Sequence, residues 1–267
     1  MIRQLICSFA AVLTLAACSR QDDKVAIVAH RGYWNCEEAG FSENSIASLK
    51  AAQDHGFWGS EFDVHLTADE QVVVNHDPKI QGIRIRKATL DSLQQLRLPT
   101  GEHPASLDEY LAQGEKCAST KLVLEFKGTK DTLRNDILID RCIDALKAHG
   151  LYSPERVMFI SFNHYICAKI ARIAPGFTNQ YLSGNRTPAE LGEVGINGID
   201  YNGNVLREHP EYVRQAHGLG MSTNVWTINL SEEFPEYVGM GVQAVTTNEP
   251  MALRAFLGKK ELRQKAQ

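Results

Sequence analysis

The chain has 267 residues, the length of one large domain or two small ones. Hydrophobic residues make up 43% and charged residues 22%, the proportions of a folded globular protein rather than a disordered chain. The formal net charge of −4 offers nothing to a partner held by phosphate contacts, so nucleic acid is excluded as an expected partner, and no protein partner is evident.

The first residues are read as an address rather than as part of the fold. Arg3 is followed by an apolar stretch from Leu5 to Ala17, the length of a secretory signal core and too short to span a bilayer. Leu15-Ala16-Ala17-Cys18 resembles the bacterial lipobox, which implies a lipoprotein signal peptide over 1–17, cleavage before Cys18 and lipidation of Cys18. Residues 18–24 are then a lipidated polar tether, and residues 25–267 the domain. Two or more acyl chains hold a protein stably at a membrane surface, so the expected location is the cell envelope, lipid-anchored at the outer membrane on its periplasmic or surface face. Four cysteines remain, Cys36, Cys117, Cys142 and Cys167; none has zinc-site spacing, and a domain of this size needs no staples, so free buried thiols are expected.

From residue 25 onward, β-rich runs alternate with helical patterns. Strands are expected at Val25–Ala29, Ser60–Val64, Lys121–Phe126, Arg156–Ile160, Phe177–Leu182, Gly198–Tyr201, Ser222–Thr227 and Gln243–Thr247. Helices are expected near Ser45–His55, Asn135–His149, His164–Ile173, Thr187–Val194, Glu208–His217 and Ser231–Gly239, with a last one from Met251. A further run, Gln71–Asn75, reads as a small hairpin extension after the second strand. Eight β/α units fit a closed TIM (β/α)8 barrel better than an open doubly wound sheet, and no Gly-x-Gly-x-x-Gly follows the first strand. His55-Gly56, His149-Gly150 and His217-Gly218 each read as a helix C-terminus closed by a left-handed glycine.

The chemistry-bearing residues collect at strand C-terminal ends, where barrel enzymes place their active sites. The first strand ends in Ala29-His30-Arg31-Gly32. Glu61 and Asp63 alternate along the second and so share a face, the hairpin run ends in Asn75-His76-Asp77, and the third strand ends in Glu125-Phe126-Lys127. Three inward carboxylates repel one another unless a cation neutralises them, and all-oxygen ligation suits a hard ion such as Mg²⁺ or Ca²⁺. Arg31 and Lys127 add positive charge for an anionic phosphate, and His30 and His76 supply an acid and a base. Phosphodiester cleavage uses all of these parts. His65, two residues past Asp63, is expected in a loop.

Ala29-His30-Arg31-Gly32, Ser42-Glu43-Asn44-Ser45, Glu61-Phe62-Asp63-Val64, Thr67-Ala68-Asp69, His76-Asp77 and Leu124-Glu125-Phe126-Lys127 resemble, in order and spacing, the glycerophosphodiester phosphodiesterase family. Pro104-Ala105-Ser106-Leu107-Asp108-Glu109, Val225-Trp226-Thr227-Ile228-Asn229 and Val245-Thr246-Thr247-Asn248-Glu249-Pro250 extend the resemblance over the whole domain. It implies a barrel of the PLC-like phosphodiesterase type, one divalent metal, Mg²⁺ or Ca²⁺, and hydrolysis of a small glycerophosphodiester to glycerol 3-phosphate and an alcohol, a step of lipid and glycerol metabolism. Carried over by position, Glu61, Asp63 and Glu125 are metal ligands, and His30 and His76 the general acid–base pair. Arg31 and Lys127 hold the phosphate, Trp226 walls the glycerol, and Asn44 orders the first loop. The alternatives are a related phosphodiesterase acting on a lysophospholipid, glycerophosphoinositol or a sugar phosphodiester, or a lipoprotein that binds phosphorylated ligands without catalysis. An apolar groove around Trp34, Phe57 and Trp58 would favour the lipid. The segment Pro78–Lys87 departs from the family pattern and bears on the leaving group.

Overall fold

The computed structural model describes residues 25–265. The leader over 1–17, Cys18 and the tether over 18–24 lie outside the described residues. In chain order the elements are β1 (Ala26–Ala29), α1 (Ile46–Asp54), β2 (Gly59–Leu66), β3 (Val72–Val74), β4 (Lys79–Ile80), β5 (Ile83–Arg84), α2 (Leu90–Gln94), α3 (Leu107–Gly114), β6 (Lys121–Phe126), α4 (Thr132–Ala148), β7 (Val157–Ser161), α5 (His164–Ile173), β8 (Asn179–Tyr181), α6 (Pro188–Gly192), β9 (Gly198–Asn202), α7 (Gly203–Glu208), α8 (Glu211–Gly218), β10 (Ser222–Trp226), α9 (Phe234–Met240), β11 (Ala244–Thr247) and α10 (Pro250–Lys265).

Eight of these strands run parallel in the order β1-β11-β10-β9-β8-β7-β6-β2, and β1 also pairs with β2, which closes the barrel. The closed (β/α)8 barrel is the expected fold, and all eight expected strands take part. β3 pairs antiparallel with β2, Val64 opposite Val74, as the small hairpin extension. β4 and β5 form a second, separate hairpin over the segment that departs from the family pattern.

The two-residue period of the strands divides their side chains between two environments. On β2, β6 and β7 the outward residues Phe62, Val64, Leu122, Leu124, Phe126 and Phe159 pack beneath the helices, and Phe62 stacks on Tyr110 of α3 with ring centroids 4.4 Å apart. The inward residues Val123, Met158 and Ile160 meet Val28, Leu182 and Ala244 in a small plug inside the barrel. Glu61, Asp63 and Glu125 share that inward parity and stand at the carboxyl end. The packing that fills the fold therefore also aims three carboxylates at its mouth.

Helix starts follow local chemistry. Ser45 caps α1 in a reciprocal box with Ser48, and Thr187 caps α6 in a box with Glu190. α2, α3 and α7 were not anticipated, although Ser106-x-x-Glu109 is a capping box that announces α3. Gly56 and Gly150 take the expected left-handed cap at φ 61° and 65°. Gly218 does not: it is the last residue of α8, and Gly220, at φ 70°, makes the turn. Cys36, Cys142 and Cys167 are free buried thiols, and Cys117 is free but partly exposed. No helix among the described residues is long and apolar enough to cross a membrane.

The loop after β1 turns sharply through Arg31 (φ 56°) and Gly32 (φ 78°). Gly32 donates its N–H to the Glu61 carbonyl at 2.9 Å, and a Cβ there would stand 2.4 Å from Ser48 Oγ and 2.7 Å from the Ser48 backbone carbon. Gly32→Ala is therefore expected to cost about 1–3 kcal/mol in backbone strain alone, with the clash added. Thermal unfolding should show a Tm several degrees lower; an unchanged Tm would contradict this reading of the turn.

Candidate active site

Glu61 and Asp63 of β2 and Glu125 of β6 each present a carboxylate oxygen within 4.8 Å of the others, and all three are buried. Glu61 Oε1 has no hydrogen-bond partner in its buried position. Asp63 Oδ1 and Glu125 Oε1 share a single donor, the Lys127 ammonium, which lies 2.8 and 2.6 Å from them. Three buried carboxylates facing one another with a single ammonium among them are costly, and a hard divalent cation satisfies such a set. The residues fit a metal.

Two of the three carboxylates, Asp63 and Glu61, are held by the loop after β1. Asn44, itself left-handed at φ 54°, donates from Nδ2 to Asp63 Oδ2 at 2.8 Å and accepts the Asp63 N–H on Oδ1 at 3.0 Å. The Arg31 N–H donates to Glu61 Oε2 at 2.7 Å, and the Arg31 carbonyl accepts from the Asn44 N–H and from Ser48 Oγ. The Arg31 guanidinium pairs with Glu43 at 2.6 Å while its Nε lies 3.9 Å from Asp63.

The proton states follow from burial and charge. Burial, then the neighbouring charges of Asp63 and Glu125, push Glu61 well above the ordinary carboxyl range. Burial and the Asp63 charge raise Glu125 to about 8. Asp63 goes the other way. Burial would raise it, but Lys127 and the Asn44 hydrogen bond together hold it below its usual value. Lys127 is raised in turn, because Asp63 and Glu125 outweigh the effect of its burial.

His30 follows β1. Its Nδ1 lies 2.7 Å from Asn248 Oδ1, an atom that also receives the Trp34 indole N–H at 3.3 Å. An indole only donates, so the shared atom is the amide oxygen, and Nδ1 of His30 carries the hydrogen. Burial and the Arg31 charge lower the His30 pKa to about 4, so its Nε2 is an unprotonated base at neutral pH. His76 lies at the rim, with Nδ1 2.8 Å from Asp77 Oδ1.

His76, Glu125, Lys127 and Phe162 line one cleft of about 520 Å³. Lys127 Nζ sits 5.9 Å over the Phe162 ring, which meets Trp226 edge-on at 5.3 Å. The Trp226 indole donates to the Asp200 carbonyl at 2.9 Å, and its side chain packs on the plug inside the barrel. His65 is not in a loop. It belongs to β2, lines the same cleft and contacts the His76 carbonyl through Nε2 at 3.0 Å. Phe57 and Trp58 precede β2 at the amino end of the barrel, whereas Trp34 is bonded at the carboxyl end, so the apolar groove that would favour a lipid does not form. Sequence reasoning assigned no part to Asn248, Glu43 or Asp77. The only signal was that Asn248 and Asp77 sit in motifs just past strand ends and Glu43 in the motif that leads into α1.

The model of the glycerophosphoryl diester phosphodiesterase family matches residues 30–252. A glycerophosphodiester phosphodiesterase from Parabacteroides distasonis ATCC 8503, of known crystal structure, is 38% identical with a TM-score of 0.85, covering 89% of this chain and 98% of that one. The glycerophosphodiester phosphodiesterase of Caldanaerobacter subterraneus subsp. tengcongensis is 28% identical over 247 residues, 86% of this chain and 96% of that protein. A phosphodiesterase of Oleispira antarctica, solved in complex with the product sn-glycerol-3-phosphate, shares the fold at 22% identity and a TM-score of 0.74, over 86% of this chain and 95% of its own. With its barrel, its cluster of buried carboxylates and this match over most of its length, the chain belongs to the glycerophosphoryl diester phosphodiesterase family and is a phosphoric diester hydrolase.

Proposed function

We propose that the protein hydrolyses glycerophosphodiesters to glycerol 3-phosphate and an alcohol, with a divalent cation held by Glu61, Asp63 and Glu125 and with His30 and His76 as the proton-transfer pair. The observation that carries this reading is the set of three buried carboxylates, with a Glu61 oxygen that has no donor, beside a histidine whose tautomer is fixed. The product bound in the Oleispira antarctica neighbour agrees with it.

The bound cation, Mg²⁺ or Ca²⁺, supplies Lewis-acid neutralisation of the phosphoryl charge. The chain's own residues do the rest. Arg31 and Lys127, both anchored on carboxylates, present their remaining N–H groups to the phosphate. His30, held by Asn248 with its proton on Nδ1, takes a proton at Nε2 from the attacking hydroxyl, either the adjacent glycerol hydroxyl or water. Attack by the glycerol hydroxyl forms a cyclic phosphate that water then opens. His76, oriented by Asp77 at Nδ1, gives its proton to the leaving alcohol. Trp226 and Phe162 wall the glycerol. A binder would need none of this proton machinery, which disfavours the non-catalytic alternative. The lipid anchor on Cys18 and an outer-membrane location are proposed on the sequence of residues 1–18 alone.

Release of glycerol 3-phosphate from glycerophosphodiesters is expected to require Mg²⁺ or Ca²⁺ and to stop on chelation. His30→Ala and His76→Ala should each lower kcat by about 10²–10⁴-fold with the fold intact by circular dichroism. Undiminished turnover in both variants would remove the proposed roles.

The proton states also set a pH dependence. For Glu61, Glu125 and Asp200 the folded-state pKa lies above the unfolded value, so stability is lost as pH rises through the folded pKa. His30 is depressed, and its contribution is complete above the unfolded value of 6.5. Between pH 6.5 and the Glu125 value of about 8 the chelated protein should therefore lose Tm as pH rises. The Tm gained on adding the cation should be larger at the upper end of that window. An increment equal at both ends would contradict the assignment.

A further inference from the structure

A second pocket of about 350 Å³ opens beside the carboxylate cleft and shares His65, Pro78, Lys127, Gly128 and Thr129 with it. Its lining is one-sided in charge. Lys79, Arg84, Arg86 and Arg134 line it, and no carboxylate and no Phe, Tyr or Trp does. Among the described residues, Lys79, Arg84 and Arg86 have no acidic group within 4.0 Å, while the neighbouring Lys127 is already paired with Asp63 and Glu125.

The pocket is built rather than draped. Ile85, between Arg84 and Arg86, is buried with Val73, Ile80 and Leu93. Its N–H donates to the Pro78 carbonyl at 3.1 Å, which closes the β4–β5 hairpin on itself, and the Ala68 N–H donates to the Ala88 carbonyl at 2.9 Å, which ties the chain after the two arginines to the turn that follows β2. Arg134 is fixed from below, donating from Nη2 to the Leu66 and Thr67 carbonyls at 3.0 and 2.9 Å. Like charges gathered without counter-charge are unfavourable in the free protein, and an anionic ligand relieves them through charge-assisted hydrogen bonds. A quaternary ammonium head group would meet only cations here and none of the aromatic faces such groups need.

The position decides what the anion is. If His76 protonates the leaving oxygen, as proposed above, the leaving alcohol lies on the His76–Pro78 side, and this pocket is the space it enters. Resting on that reading, we infer that the pocket is the head-group subsite and that the preferred substrates are glycerophosphodiesters whose alcohol carries its own negative charge, a phosphate or carboxylate. Arg84 and Arg86 set that preference, with Lys79 and Arg134 beside them.

The test compares kcat/KM for glycerophosphoinositol 4-phosphate, glycerophosphoinositol and glycerophosphocholine, with the cation present and at low ionic strength. The phosphorylated diester should be favoured over the unphosphorylated one by about tenfold or more, expressed in KM, with glycerophosphocholine last. Added salt should narrow the gap, since solvent-facing charges are screened. In the exposed double variant R84A/R86A the ratio should collapse to within about threefold, and in R84K/R86K, which keeps the charge, much of it should survive. Equal values for the phosphorylated and unphosphorylated diesters in the unmodified protein, or a ratio unmoved in R84A/R86A, would overturn the subsite while leaving the phosphodiesterase reading in place. Failure to cleave any of the three, with the protein folded and metal added, would overturn the activity itself and the subsite with it.

Discussion

Three carboxyl groups buried against one another are the constraint around which this molecule is arranged, because water cannot relieve their repulsion and the protein must. Part of the relief is internal. Lys127 lies against Asp63 and Glu125, Arg31 lends its N–H to Glu61 and its guanidinium to the neighbourhood, and Asn44 grips Asp63 at both side chain and backbone. The left-handed turn at Arg31 and Gly32 exists to bring that loop down onto the strand ends, and Ser45 and Ser48 lock it to the start of α1. What the protein leaves undone is the Glu61 oxygen without a donor and a proton retained on Glu125, and both are what a divalent cation would take over.

Histidine placement follows the same economy. His30 is buried, neutral and fixed in one tautomer through Asn248, while His76 stands at the rim beside Asp77. Two rings of one residue type are thus given different environments, as a base and an acid require. On the proposed reading the chemistry belongs to the barrel and the choice of alcohol to the β4–β5 hairpin, whose arginines line the pocket beside the carboxylate cleft.

Much of this was legible in the residues because strands alternate with a period of two. Glu61 with Asp63, and Glu125 with Lys127, were readable as same-face pairs at strand ends, and the eight β/α units were readable as a barrel. Less legible was whatever depends on contacts distant in sequence. Asn248 reaches His30 across 218 positions, and only the closed barrel brings β11 beside β1. The β4–β5 hairpin was visible only as an unusual segment, since two-residue strands carry no periodic signal. β2 carries His65 because the alternation Phe62, Val64, Leu66 continues past it and the strand runs to Leu66. The Gly218 cap failed because the helix runs one residue further and Gly220 was equally able to turn.

The central claim, that the carboxylate cluster is a cation site, is tested most directly by calorimetric titration of Mg²⁺ and Ca²⁺ into the protein at about neutral pH, in buffers of different protonation enthalpy. The account predicts a single saturable site for at least one of these ions, release of protons as Glu125 gives up its own, and loss of binding in Asp63→Asn. No saturable binding of either ion, or binding undiminished in Asp63→Asn, would contradict it.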